Sequence, residues 1–74
     1  MILDYKTALQ ELVQKDGYKE IKYSVVEEFG PDHSKTFIIA VVIDSKFRGQ
    51  GRGKSKKEAE QSAAKNAMEM GFAK

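Results

Sequence analysis

The residues best placed to do chemistry are Lys54-Ser55-Lys56-Lys57, which follow a glycine-spaced basic stretch and open a helix. Ser55 and Glu58 have the spacing of a capping box, in which the Ser55 hydroxyl accepts from the Glu58 amide and the Glu58 carboxylate reaches back to the Ser55 amide. Lys56 and Lys57 then fall in the first helical turn, where cations oppose the positive end of the helix dipole. Helix stability alone favours Asp or Glu there, so the two lysines point to an anion outside the protein. Ser45 to Lys57 carries six cations and no acid, leaving seven basic residues against eleven acids, a net −4, elsewhere in the chain. This asymmetry predicts one basic patch, the electrostatic footprint of a polyanion binder.

Other chemistries fail on spacing. Gly53-Lys54-Ser55 resembles the end of a nucleotide-binding loop, but G-x-x-x-x-G-K-[ST] requires glycine at position 48, where the chain has Arg48. Gly49, Gly51 and Gly53 lack the parallel βαβ context of a dinucleotide fingerprint. His33, the single histidine, has Asp32 beside it, giving at most two ligands where zinc takes three or four. Nothing marks a nucleophile elbow or an oxyanion hole. With no cysteine there is no disulfide framework or thiolate site, which fits a reducing compartment. The longest apolar run, Phe37 to Ile43, is too short to span a bilayer. The expectation is a soluble, cytoplasmic binding domain with no cofactor and no membrane partner.

Seventy-four residues make one domain, and a chain of this size buries only about 60% of its unfolded surface. Asp4 is a good N-cap, and Tyr5, Ala8, Leu9, Leu12 and Val13 follow at helical spacing until Asp16-Gly17, predicting a first helix over 5–15. Its outward stripe, Thr7, Gln10, Glu11 and Gln14, is a row of hydrogen-bonding groups with one carboxylate. Residues 23–29 and 36–43 read as a hairpin broken by Gly30-Pro31-Asp32-His33, and 46–51 as a third strand whose glycines weaken or bend it. In the second strand Phe37, Ile39, Val41 and Ile43 share one face and Ile38, Ala40 and Val42 the other. A last helix is expected from Lys56 to about Met70, stopped by Gly71, with Ala59, Ala63, Ala64, Ala67 and Met68 inward. The order predicts an α+β fold, α-β-β-β-α, with both helices on one face of a three-stranded antiparallel sheet.

Taken in order, Asp4-Tyr-Lys-Thr-Ala-Leu-Gln-Glu11, Tyr23, Gly30-Pro-Asp-His33, Phe37, Gly51-x-Gly-x-Ser-Lys-Lys-x-Ala-Glu60 and Ala63-Ala64 resemble the double-stranded RNA-binding domain, most nearly the C-terminal domain of bacterial ribonuclease III. The resemblance implies such a domain over 4–72, with 1–3 a linker remnant and 73–74 a tail. It implies that Thr7, Gln10, Glu11 and Gln14 enter one minor groove of duplex RNA. Gly30, Pro31, Asp32 and His33 would enter the next, and Lys54, Ser55, Lys56 and Lys57 would hold the phosphates between. It further implies a parent endoribonuclease that processes structured RNA such as rRNA, using Mg²⁺ in a catalytic domain absent from this chain and dimerising through that domain. Glu60 departs from the family, which often has a third lysine there. That weakens the phosphate clamp unless Lys54 or Arg52 compensates, and the four-residue spacing lets Glu60 pair with Lys56 on the helix surface. The competing expectation is a protein-interaction or dimerisation module, motivated by the apolar set Ile38, Ala40 and Val42.

Overall fold

In a computed structural model describing residues 4–72, the elements are α1 (Tyr5–Lys15), β1 (Ile21–Phe29), a single 3-10 turn (Asp32–Ser34), β2 (Thr36–Ile43), β3 (Lys46–Gly53) and α2 (Lys56–Ala67). The linker remnant expected at 1–3 and the tail at 73–74 lie outside these residues. The sheet runs β1-β2-β3, antiparallel throughout. Leu9 and Val13 of α1 meet Ile39, Val41 and Ile43 of β2 and the α2 alanines in one buried cluster, which puts both helices on one face.

Local chemistry sets the boundaries of α1. The Asp4 carboxylate accepts from the Thr7 amide at 3.1 Å, capping the N-terminus. At the other end Gly17 takes φ +86°, while the Tyr18 amide donates to the Val13 carbonyl and the Gly17 amide to the Gln14 carbonyl, a Schellman ending. Asp44 and Ser45, both at positive φ, make the two-residue turn from β2 to β3. The Asp44 carboxylate accepts from the amides of Lys19 and Glu20, anchoring the α1–β1 link to this turn.

Three expected boundaries move. β1 begins at Ile21, two residues early, because Ile21 pairs with Ile43 and continues the inner face. β3 does not fail at its glycines but continues to Gly53. The chain beyond Ala67 enters a π-helical turn, Met68–Phe72, in place of an ending at Gly71.

The β3 glycines have a packing cause. Gly49, Gly51 and Gly53 face α2, and a Cβ on Gly49 or Gly53 would lie 2.8 Å from the Ala67 amide nitrogen or 2.6 Å from that of Ala59. One on Gly51 would overlap the backbone of Ser62 and Ala63. The opposing alanines at 59, 63 and 67 are fully buried. The helix therefore lies backbone-close on the strand, and the Gln50 amide donates to Asn66 Oδ1 at 3.0 Å across the same seam.

On the outer face Ala40 is only 5% exposed, and Ile38 and Val42 are half-buried, so the expected apolar set is less open than its sequence suggests. The exposed large apolar residues there include Phe47, opposite Val42, and Phe29.

Gly51→Ala should destabilise the fold by about 2–3 kcal/mol, the upper part of the range for overpacking, because backbone cannot yield. Urea unfolding followed by circular dichroism measures it, and a change under 0.5 kcal/mol, roughly the level of a neutral surface substitution, would contradict the close-packed seam.

Candidate nucleic-acid interface

The basic run does not form one patch. Strand periodicity divides it: Gly49, Gly51 and Gly53 face α2, so Arg52, opposite Ile38, points to the far side of the sheet, its guanidinium 5.9 Å from the Phe29 ring centroid. Arg48 sits at a register shift, 5.8 Å from the Tyr18 ring centroid. Arg52 therefore does not join the cations at α2. Lys54, Lys56 and Lys57 remain together and exposed at its N-terminus.

That terminus is built as half of the expected capping box. Ser55 Oγ accepts from the Glu58 amide at 3.0 Å, as its spacing predicts. The Glu58 carboxylate instead accepts from the Lys54 amide at 2.6 Å, one residue beyond Ser55. Lys54 is the first residue past the end of β3, where a backbone amide leaves the ladder and requires a new acceptor. Glu58 is thereby committed to ordering the backbone that carries the lysines. Lys56 Nζ lies 6.0 Å from the Phe37 ring centroid, resting that side chain on the start of β2.

Thr7, Gln10 and Glu11 line an open cleft of about 570 Å³ together with Lys57 of α2, with Tyr23 of β1 also in its wall. The two helices thus bring part of the hydrogen-bonding stripe beside one of the lysines at the start of α2. Gln14 is exposed one turn further along α1 and is not in this cleft. Gly30, Pro31, Asp32 and His33 are all exposed at the β1–β2 connection. Gly30 takes φ +100°, and a Cβ there would lie 2.6 Å from the Ser34 carbonyl oxygen, so the loop's tight reversal requires glycine. The Ser34 amide donates to the Pro31 carbonyl at 2.8 Å, holding Asp32 and His33 in the 3-10 turn. The loop leaves the sheet at the end where Phe37 pairs with Gly53, the end from which the chain enters α2.

Glu60 does not pair with Lys56. Its carboxylate meets Lys6 Nζ of α1 at 2.6 Å, because the N-terminal turn of α1 lies against this part of α2. Beside it, Gln61 Oε1 accepts from the Tyr5 amide at 2.7 Å and Gln61 Nε2 donates to Asp4 Oδ1 at 2.9 Å. Sequence reasoning missed Lys6 and Gln61 at the site, since no local spacing links residues more than fifty apart. Gln61 first, and then Thr7, stabilises the ionised Asp4 and lowers its pKa from 3.8 to about 2. Burial, reinforced by the charges of Glu60 and Asp4, raises the Tyr23 hydroxyl to about 12.

The residues from Tyr5 to Met70 match the family described as the double-stranded RNA binding motif. The chain belongs to that family. Ribonuclease 3 of Streptococcus pneumoniae (strain Hungary19A-6) is 56% identical over 72 residues, covering 97% of this chain. The domain spans about a third of that relative, 31% of its length. A structure of Arabidopsis HYL1, described in connection with miRNA processing, aligns with TM-score 0.78 and 35% identity over 95% of this chain and 97% of its own. A structure of Dicer from Pichia stipitis aligns with TM-score 0.66 and 28% identity over 92% of this chain and 34% of its own. Membership of the RNA-binding family favours the duplex-RNA reading over the interaction module. Among the described residues of this double-stranded RNA-binding domain, no three His, Asp or Glu side chains gather to hold a metal ion, and no helix is long and apolar enough to cross a membrane.

The Asp4 pKa gives a signed prediction. A carboxylate more acidic when folded stabilises the fold above its unfolded pKa near 3.8, and that contribution is lost as pH falls toward about 2. Asp4→Asn keeps a cap acceptor but removes the titration, so its melting temperature should fall less than that of the wild type across this window. Parallel melting curves for the two proteins would contradict the Asp4 assignment.

Proposed function

We propose that this domain reads the shape of an A-form RNA duplex through 2′-hydroxyl and phosphate contacts. The observation that carries this is the cleft shared by Thr7, Gln10, Glu11 and Lys57, where two neutral hydrogen-bonding groups and one carboxylate lie next to a cation-bearing helix terminus. An A-form duplex displays 2′-hydroxyls in a wide, shallow minor groove and hides its base edges in a deep major groove. A reader of that surface needs polar side chains spaced along a helix. The α1 stripe provides them, Thr7, Gln10 and Glu11 in the cleft and Gln14 beyond it.

Glu11 distinguishes RNA from DNA. Phosphate repels a carboxylate, whereas a 2′-hydroxyl can donate to it, so Glu11 is tolerated only where such a donor is present. Gly30, Pro31, Asp32 and His33 reach the next minor groove. Lys54, Ser55, Lys56 and Lys57 face the intervening phosphates, aided by the positive end of α2. Such a footprint covers about 16 base pairs and is largely independent of sequence.

The 56% identity to Ribonuclease 3 supports a parent protein of that kind, with this domain as its substrate-holding part. That parent would be a cytoplasmic endoribonuclease acting on structured RNA such as rRNA. Its catalytic domain would bind Mg²⁺ and form the homodimer.

The double substitution Lys56→Ala and Lys57→Ala should weaken duplex RNA binding and lower the salt slope, d log K/d log [salt], by about 1 for each phosphate that is no longer neutralised. Titrations at several salt concentrations measure this, and an unchanged slope would refute the clamp. Glu11→Ala should narrow the preference for duplex RNA over duplex DNA of the same sequence. Equal losses on both would remove Glu11 from the 2′-hydroxyl role.

A further inference from the structure

Glu60 lies four residues beyond Lys56 near the lysine-bearing start of α2, and its carboxylate is bonded across to Lys6 of α1. We propose that Glu60 and Gln61 form a latch that holds α1 at a fixed offset from α2, making Lys6, Glu60 and Gln61 positioning residues for two-groove RNA binding. The proposal rests on the duplex reading above and adds to it residues with no RNA contact assigned.

Helical spacing places this latch between the reading groups. Glu60 and Gln61 lie four residues beyond Lys56 and Lys57, and Lys6 lies four before Gln10. Each latch residue is thus about 6.0 Å along its helix from a group assigned to RNA. Three interactions cross between the helices: Lys6 Nζ to Glu60 Oε1 at 2.6 Å, the Tyr5 amide to Gln61 Oε1 at 2.7 Å, and Gln61 Nε2 to Asp4 Oδ1 at 2.9 Å. Gln61 therefore binds both the cap residue of α1 and its first helical amide. Lys6 Nζ also lies 5.0 Å from the Tyr23 ring centroid, which fixes its direction over β1. Side-chain exposures of 37% for Lys6 and 26% for Glu60 make this pair less solvent-screened than a fully exposed one.

Two contact sets on one rigid body bind as a unit, because engaging the first sets a high effective concentration for the second. A loose α1 would lose that advantage on a duplex offering both grooves, whereas a duplex offering a single groove has no such advantage to lose.

Glu60→Lys separates the latch from simple electrostatics. Adding a cation to a polyanion binder should tighten binding and steepen the salt slope, whereas breaking the latch should weaken binding. We expect Glu60→Lys and Gln61→Ala each to lose about tenfold on a long duplex, a part of the gain that linked sites provide. On a duplex of about 8 base pairs, half the two-groove span, the loss should be much smaller. The exchange Lys6→Glu with Glu60→Lys, which restores the pair at unchanged net charge, should recover long-duplex affinity.

Tighter binding by Glu60→Lys would overturn the latch, as would equal proportional losses on both duplexes for Gln61→Ala, the pattern of partial unfolding. A direct phosphate contact by Lys6 would leave the exchanged protein as weak as Lys6→Glu alone, which would also overturn it. Failure of the wild type to bind either RNA would refute the duplex reading itself, a separate result.

Discussion

The backbone-close seam between β3 and α2 is the constraint on which the rest of the molecule depends. Two residues along a strand advance about 6.8 Å and four along a helix about 6.0 Å. Glycines at every second position can therefore meet alanines at every fourth, as Gly49, Gly51 and Gly53 meet Ala67, Ala63 and Ala59. Any side chain at the middle glycine would strike helix backbone, which has no rotamer to change. The seam fixes the separation of α2 from the sheet, and β3's exit at Gly53 fixes where the helix starts.

Placement of the functional groups follows from that start. The lysines at 54, 56 and 57 stand at the strand-to-helix junction, and α1 is held against the second turn of α2 by Glu60 and Gln61. Acids close to the proposed phosphate surface are committed to internal bonds. Asp4 caps α1, Glu58 holds the Lys54 amide and Glu60 holds Lys6. Each such bond orders a segment while engaging a carboxylate with a partner in the protein, so the acids organise the cationic surface with less cost to its field. Glu11 differs in standing on the exposed α1 stripe, where the proposed 2′-hydroxyl donor would meet it.

Small side chains at the seam leave the core to a few large ones. Leu9, Val13, Ile39, Val41 and Ile43 are its largest fully buried members, and α2 contributes only alanines among its fully buried residues. Alanine burial releases little apolar area, so close approach is obtained with a modest hydrophobic contribution. The domain is accordingly thin, with principal extents of 41, 31 and 17 Å.

Much of this was legible in the sequence where the determining interactions are local. Asp4 to Thr7 and Ser55 to Glu58 are caps readable at a spacing of three, and the α1 stripe and the two faces of β2 follow from periods of 3.6 and 2. The division of the basic run was readable in principle from period 2, but only once β3 was known to continue through its glycines to Gly53. Partners chosen across elements were not readable. Glu60 satisfies the local spacing for Lys56 yet bonds Lys6, and Gln61 bonds Tyr5 and Asp4, because those choices depend on the distance and angle between α1 and α2. The sequence by itself thus determined the elements, their faces and the kinds of group presented to a ligand. Tertiary structure alone decided which charges pair and how far apart α1 and the cationic start of α2 stand, since packing, not spacing along the chain, sets those distances.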